Sequence, residues 1–311
     1  MKVAVFGGTG FVGSHLVDGL IAAGHTPRLL VRSGSETRVA RRDVSEVVSG
    51  EIGSDAAVAE CLAGCDAAIY NIGLLREFPA RGVTFEAMHH EGCVRAIDAA
   101  KAADVGRFVL MSANGAGPEG TPYQTTKYRA EQALAASGLD WTVFRPSVIF
   151  GDPQGRMEFC TQLRDEMIEM PIPAPLFHEG LLPLQAGRFR LSPVAIEDVT
   201  RAFVRSLETP ASIGRVLPLG GPEAMEWREI IRTIAEACGR RKLMLPAPAW
   251  AVRAVATLLD GQAWFPITRD QLDMLLAGNV CDGGEAWGLF DISPRRFERA
   301  ALSYLARRRG Q

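Results

Sequence analysis

Short apolar runs alternate with helical patterns along the first half of the chain. Residues 3–6 are uniformly apolar, and residues 11–21 place apolar side chains three and four positions apart, as on one face of a helix. Strands that alternate with helices predict βαβ units in one parallel sheet. Further apolar runs lie at residues 27–31, 67–72, 108–111 and 141–144, and further helical patterns at 54–63, 85–103 and 125–137.

The pattern loses this regularity after Gly151. Prolines cluster from residue 171 onward, so residues 170–190 predict a loop that has room for a short hairpin. A short strand is predicted at residues 216–220, and helices at 192–207, 227–238 and 246–259. The last of these helices is apolar and contains Trp250. We expect it to pack in a core, with contact to a partner protein or a membrane surface as the alternative.

Composition and charge narrow the class of protein. The 311-residue chain has a net charge of −2, without the basic excess that nucleic-acid binding requires. The sequence has no run of about twenty apolar residues, so it predicts no membrane-spanning helix. The six cysteines are scattered and lack metal-ligand or redox-pair spacing, which fits a reducing compartment. We therefore expect a cytoplasmic protein without a metal site, with peripheral contact at the inner face of a membrane as the alternative.

The first apolar run leads directly into a glycine-rich turn. Glycines stand at positions 7, 8, 10 and 13, and the first helical pattern begins among them. In strand–turn–helix units that bind dinucleotides, glycine permits the tight turn, the close approach of the pyrophosphate and the packing of helix on strand. The helix N-terminus offers free N–H groups to the phosphates. The predicted cofactor contacts are Gly7, Thr9, Gly10, Phe11, Val12 and Gly13.

The alternating pattern and the glycine turn together predict the fold class. We expect an α/β fold, a Rossmann-type doubly wound parallel sheet with a smaller, mostly C-terminal substrate lobe. Residues 1–150, with later returns near 192–220, are assigned to the NAD(P)-binding domain. Residues 151–191 and 221–311 are assigned to the smaller lobe, which would hold a substrate or a partner.

The second predicted strand bears on the choice of cofactor. NAD-binding folds of this type place Asp or Glu about 20 residues after the glycines, on the ribose hydroxyls. Here Arg32 follows the apolar residues 29–31 at that position. A guanidinium pairs with a phosphate through its planar fork. We therefore expect NADP(H) to be preferred over NAD(H), with Arg32 on the 2′-phosphate; the alternative is an arginine that simply ends a strand.

Tyr123 and Lys127 lie four residues apart in a predicted helix, and therefore on one face of it. A phenol titrates near 10, and a neighbouring ammonium lowers that pKa. The pair is suited to exchange a proton with a hydroxyl/carbonyl couple. We expect Tyr123 to be the proton donor or acceptor, and Lys127 to support it and to bind the nicotinamide ribose. The alternative is an exposed helix with a packed tyrosine.

This pair, taken with the glycine spacing, resembles the short-chain dehydrogenase/reductase superfamily in its extended, epimerase/dehydratase-like form. Residues 194–199, Val-Ala-Ile-Glu-Asp-Val, resemble a helix start in that family. Residues 267–272, 279–280 and 290–294 resemble one atypical branch. That branch includes the dehydrogenase-like accessory subunit of mitochondrial complex I and its bacterial relatives.

The resemblance implies further cofactor contacts. Residues 51–52 resemble the acidic–apolar pair that lies against the adenine, and residues 71–73 resemble the turn beside the cofactor after the fourth strand. Residues 145–151 resemble the segment that passes the nicotinamide. The contacts implied in this way are Glu51, Ile52, Asn71, Ile72, Gly73, Pro146 and Val148.

The chain departs from the family pattern after the fifth strand. Active members carry a catalytic Ser or Thr there, whereas this chain has Ser112, which aligns with a structural serine, and Asn114 near the catalytic position. Both are kept as catalytic candidates. His89 and His90 lie on the helix after the fourth strand and are expected to be packed or solvated, with contact to a substrate as the alternative.

Two functions from different classes follow. The first is an NADP-dependent oxidoreductase or epimerase acting on a hydroxyl/carbonyl substrate. The second is a nucleotide-binding structural or redox-sensing subunit with little or no catalysis. The intact Tyr–Lys pair favours the first function, and the missing hydroxyl and the branch resemblance favour the second.

Overall fold

A computed structural model of the chain describes residues 1–258 and 269–306. Two predictions fall partly outside these ranges. They concern residues 267–268, at the start of a segment that resembles the atypical branch, and residue 259, the last residue of the helix predicted at 246–259. The strands are β1 (Lys2–Phe6), β2 (Thr26–Val31), β3 (Glu46–Ser49), β4 (Ala67–Tyr70), β5 (Arg107–Met111), β6 (Asp140–Pro146), β7 (Ile149–Phe150), β8 (Ala174–His178), β9 (Arg190–Leu191), β10 (Val194–Ala195), β11 (Arg215–Leu219), β12 (Met225–Glu226) and β13 (Met244–Pro248).

The α-helices are α1 (Phe11–Ala22), α2 (Asp55–Leu62), α3 (Gly92–Ala102), α4 (Pro122–Ala135), α5 (Phe159–Leu163), α6 (Ile196–Ser206), α7 (Trp227–Ala237), α8 (Ala249–Leu258), α9 (Arg269–Leu276) and α10 (Gly284–Leu289). A π-helical turn, Glu86–Glu91, leads into α3, and a second, Arg164–Ile168, follows α5. In the described part of the chain, no helix combines the length and the apolarity that crossing a membrane requires.

Seven strands form one parallel sheet in the order β11-β6-β5-β4-β1-β2-β3. Val5 in β1 pairs with Leu29 in β2 on one side and with Ile69 in β4 on the other. All residues of β4 and β5 are buried, as expected for parallel strands covered on both faces. Strand order reverses between β1 and β4, which is where such sheets bind ligands. The predicted Rossmann-type α/β fold is confirmed.

The first compact unit comprises residues 1–146, 196–219 and 283–293. Its core packs α2, α3 and α4 on the sheet through Val58, Ile97, Leu134 and their neighbours. Residues 283–293 were predicted to belong to the smaller lobe, but they pack in this unit. The rings of Phe144 and Phe290 are 5.8 Å apart, and Arg205 Nη1 donates to Asp291 O at 2.8 Å.

Of the described residues, the second compact unit comprises 147–195, 220–258, 269–282 and 294–306. Its core is centred on Trp227, which stacks on Phe189 at 5.5 Å and donates from its indole nitrogen to Pro175 O at 3.0 Å. The strands of this unit form pairs: β7 with β10 and β8 with β13 run parallel, and β9 with β12 runs antiparallel.

Two predictions for the second unit are wrong. The hairpin considered within residues 170–190 is replaced by β8, which pairs in parallel with the distant β13. The helix predicted from residue 246 begins only at Ala249, because residues 244–248 form β13. Within that helix Val252 packs on the core of the unit, as expected, but Trp250 is exposed.

Candidate functional site

The turn between β1 and α1 requires glycine at two positions. Gly7 has a φ of +91°, and a Cβ there would lie 2.9 Å from Asn71 O. A Cβ on Gly13 would lie 2.1 Å from Gly7 O. The Gly10 N–H donates to Gly7 O at 3.2 Å and closes the turn. The backbone is therefore folded as tightly as the sequence predicts.

Gly10 serves a different purpose in the same turn. It is exposed, with a φ of −79°, and the nearest atom to a Cβ there would be Gly7 O at 3.5 Å. Gly10 is the N-cap of α1 and has no side chain that could cap that helix end. Because it lacks a Cβ, a pyrophosphate could approach the backbone of the first turn of α1 closely. Thr9, Phe11 and Val12 are half-buried around it.

The segment after β4 lies against this glycine turn. Asn71 N–H donates to Phe6 O at 2.9 Å, which extends the pairing of β1 with β4. Asn71 and Ile72 are half-buried, whereas Gly73 is exposed. The structure therefore brings together the predicted residues 71–73 and the turn at residues 7–13.

Lys127 joins the ends of two central strands. Its ammonium donates to Ile72 O at 3.1 Å and to Met111 O at 2.9 Å, and only 2% of the residue is exposed. A Cβ on Gly73 would lie 3.9 Å from the Lys127 Nζ. Burial lowers the pKa of Lys127 to about 8. The lysine is thus held at the carboxyl ends of β4 and β5, next to the glycine turn.

Tyr123 lies in the first turn of α4. That helix begins with a capping box: Thr121 accepts from the Gln124 N–H, and the Gln124 side chain accepts from the Thr121 N–H. Pro122 occupies the first helical position, where its missing N–H is harmless. The helix therefore starts three residues before the predicted residue 125, and Tyr123 is fixed one turn ahead of Lys127.

The expected lowering of the Tyr123 pKa is wrong. Burial raises the pKa of Tyr123 to about 12. The ring packs edge-on against Phe85 at 5.7 Å and His89 at 5.2 Å, so an apolar and aromatic environment disfavours the phenolate. At neutral pH the phenol therefore keeps its proton.

His89 is packed, as one of the two expectations for it states, and it makes specific hydrogen bonds. It is buried, stacks on Phe85 at 5.3 Å, and accepts from the Leu74 N–H through Nε2 at 3.0 Å. Its Nδ1 must then carry the hydrogen, which points to Thr126 Oγ1 at 3.3 Å. Burial, with a smaller effect of the Lys127 charge, lowers the pKa of His89 to about 2. A neutral imidazole therefore connects the loop after β4 to α4.

Ser112 has a structural contact. Ser112 is only 3% exposed, and its hydroxyl donates to the Glu131 carboxylate. The same carboxylate accepts from Arg145 Nε at 2.9 Å and Nη2 at 2.5 Å. Asn114 is half-buried, and its N–H donates to Pro146 O at 2.9 Å. Catalytic roles for Ser112 and Asn114 stay predictions.

The remaining predicted contacts are more dispersed. Arg32 is exposed immediately after β2, and Glu51 is exposed after β3. Ile52 is 7% exposed and belongs to the core of the first unit. Pro146 ends β6, whereas Val148 packs on the core of the second unit. Their contacts with a cofactor stay predictions.

Comparison with known proteins agrees with this geometry. A family model described as NAD(P)H-binding matches residues 7–172, just over half of the chain. The ceramide reductase of Caulobacter vibrioides is 29% identical over 86% of this chain and 79% of its own length. The mitochondrial NADH-ubiquinone oxidoreductase 40 kDa subunit of Neurospora crassa is 25% identical over 89% of this chain and 71% of its own length.

A solved structure supports the fold independently. The Thermus thermophilus UDP-glucose 4-epimerase, in complex with NAD, superposes with a TM-score of 0.74 over 98% of each chain, at 19% identity. The chain therefore belongs to the NAD(P)H-binding family, with reductases and complex I accessory subunits among its relatives.

Proposed function

We propose that this protein is an NADP(H)-dependent oxidoreductase that reduces a carbonyl group, with Tyr123 as the proton donor. One observation carries the proposal: a protonated Tyr123 lies one helical turn from Lys127, whose ammonium is fixed at the strand ends beside the glycine turn. The two backbone carbonyls fix the ammonium of Lys127 in one place, whereas the ammonium of a solvated surface lysine would be mobile.

Different residues would bind different parts of the cofactor. The first turn of α1 binds the pyrophosphate through its N–H groups, and Arg32 pairs with the 2′-phosphate. Residues 71–73 and Lys127 hold the ribose next to the nicotinamide. The bound cofactor supplies a hydride to the carbonyl carbon.

Proton transfer falls to Tyr123. As negative charge develops on the carbonyl oxygen, the Tyr123 hydroxyl donates its proton to that oxygen and the C=O bond becomes C–OH. The Lys127 ammonium stabilises the phenolate that remains. Burial keeps the Tyr123 phenol protonated at neutral pH, and the protonated form is the one that a carbonyl reduction requires.

The class of substrate is proposed from the relatives. One of them is named a ceramide reductase, and ceramide is a long-chain lipid. We propose a carbonyl on a largely apolar molecule.

One observation favours the alternative of a nucleotide-binding subunit with little catalysis. The hydroxyl of Ser112 is engaged by Glu131, so it is unavailable to orient a substrate carbonyl in this arrangement. The 40 kDa complex I subunit among the relatives is in line with that alternative.

Complementation of a deletion strain separates the two functions. The catalytic proposal predicts that Tyr123→Phe folds, binds NADPH and fails to restore the phenotype. Full rescue by Tyr123→Phe would defeat the catalytic proposal, and the subunit function would then be expected to depend on the glycine turn instead.

A further inference from the structure

The second unit carries an exposed apolar surface, here called the β8–β13 surface. Leu181 is 93% exposed, Leu184 73%, Leu243 65% and Trp250 62%. Single exposed leucines are ordinary, but a group of large apolar side chains this exposed marks an interaction site. The surface consists of Ile172, Leu181, Leu182, Leu184, Leu243, Leu245 and Trp250.

These residues come from chain segments that meet at the two-stranded sheet. Ala174 N–H donates to Leu243 O at 2.9 Å, which places the residues before β8 beside those before β13. The short turn Pro183–Gln185 contacts both β8 and β13. Trp250 stands in the first turn of α8, directly after β13. The residues of this surface therefore all lie in, or directly next to, one two-stranded sheet.

Cations adjoin this apolar surface. Arg240, Arg241 and Lys242 are consecutive, and both arginines are exposed. The three residues line a cavity of about 590 Å³ together with Leu243 and residues 168–173. Lys242 Nζ donates to Ile168 O and Met170 O, so the basic segment is tied to the segment before β8.

We propose that the β8–β13 surface docks the protein peripherally on an anionic lipid bilayer. The leucines would enter the acyl-chain boundary, and Trp250 would lie at the headgroup level where tryptophan is favoured. Arg240, Arg241 and Lys242 would contact the lipid phosphates. The combination of an apolar surface and adjacent cations matches the chemistry of such a membrane.

A second copy of the chain fits this surface less well. A two-fold dimer through the same surface presents the same patch from both subunits. A dimer of this kind would take both copies of the segment 240–242 out of water, and the cost of desolvating these cations opposes association.

Vesicle flotation tests the proposal. We expect the protein to float with vesicles of phosphatidylcholine and phosphatidylglycerol, less with phosphatidylcholine alone, and less at high salt. The double variant Leu181→Gln/Leu184→Gln should lower the partition coefficient at least tenfold. Arg240→Gln/Arg241→Gln should lower binding to anionic vesicles by about fivefold per arginine, and should remove most of the preference for them.

The control replaces exposed apolar residues of the first unit. Ile213→Gln/Val216→Gln changes side chains that are 38% and 39% exposed, and it should bind vesicles as the native protein does. All variants should retain NADPH binding, which keeps the result separate from the proposed catalytic function. Absence of vesicle binding, or unchanged binding by the leucine variant, would overturn the proposal. A dimer that the leucine variant dissociates, without vesicle binding, would assign the surface to a second copy.

Discussion

At the scale of single residues, the chemistry of the site depends on burial more than on sequence spacing. The four-residue spacing predicts that Tyr123 and Lys127 share a helix face, and the structure places them so. The spacing gives no indication of how much water reaches either group. Burial raises the pKa of Tyr123 and lowers that of Lys127. At neutral pH the Tyr123 phenol therefore keeps its proton, and Lys127 is held beside it on the same helix face.

Arg32 is expected to determine the choice of cofactor. Arg32→Asp removes a charge-assisted pair with the 2′-phosphate and adds an acceptor for a ribose hydroxyl. NADPH affinity should fall by at least about tenfold, the scale of one charged hydrogen bond, and NADH affinity should rise. Fluorescence titration of both nucleotides measures the two affinities.

The matched control for this change is Lys101→Asp, which introduces the same change of charge. Lys101 is exposed in the last turn of α3, on the side of the sheet where β5 begins. It should leave both affinities unchanged. Equal affinities for NADPH and NADH in the native protein would rule out the role of Arg32.

His89 is expected to make the fold sensitive to acid. Its folded pKa is about 2 and its ordinary value is 6.5, so between these values the unfolded chain binds one proton more. Stability should therefore be fully present above about pH 6.5 and fall as the pH drops below it. This single group should remove about 2 kcal/mol of unfolding free energy between pH 7 and pH 5.

The comparison variant is His89→Gln, whose amide can accept from Leu74 and donate to Thr126 without titrating. Urea unfolding of both proteins at the two pH values should give a smaller acid loss for the variant. The same loss in both proteins would mean that His89 is protonated in the folded state.

At the scale of elements, the glycine turn makes a prediction that separates binding from folding. Gly10→Val places a branched side chain on the open face of the turn, where the backbone is already extended. Nucleotide affinity should fall at least a hundredfold, while stability changes by less than about 1 kcal/mol. Titration with NADPH and a urea melt measure the two effects.

Gly13→Ala should behave in the opposite way. A Cβ there would lie 2.1 Å from Gly7 O, so the turn must shift and the urea melt should show a clear loss of stability.

Normal NADPH binding by Gly10→Val would mean that the pyrophosphate lies elsewhere.

The elements also indicate how far the sequence predicts the fold. The central strands are near-continuous apolar runs, so β1, β2, β4, β5 and β6 are found where predicted. The edge strand β3, with only two apolar residues, lacks that signal. The proline-containing β8 and β13 form because they pair with each other across 70 residues, which no local pattern shows.

The same limit applies to the candidate site. Its glycines and the Tyr–Lys pair are local motifs and were predictable. The role of His89 was not, because its hydrogen-bond partners Leu74 and Thr126 lie 15 and 37 residues away in the chain. The earlier start of α4 did have a local signal, the Thr121–Gln124 capping box.

At the scale of the whole molecule, the chain passes repeatedly between its two compact units. The first unit contains the glycine turn, Lys127 and Tyr123, and the second contains the β8–β13 surface. The NAD(P)H-binding family model matches residues 7–172, which include most of the first unit, and the relatives of the chain include both reductases and complex I subunits. Catalysis is therefore the property that distinguishes the possible functions.

The most direct test follows deuterium from NADPH that carries deuterium at both C4 positions into the carbonyl compounds of a cell extract, by mass spectrometry. We predict that the native protein transfers one deuterium to each reduced molecule. Tyr123→Phe should bind NADPH equally well and transfer at least about a hundredfold less, the usual scale of lost acid catalysis. Equal transfer by both proteins, or no transfer by a native protein that binds NADPH, would contradict the proposal that Tyr123 donates the proton in a carbonyl reduction.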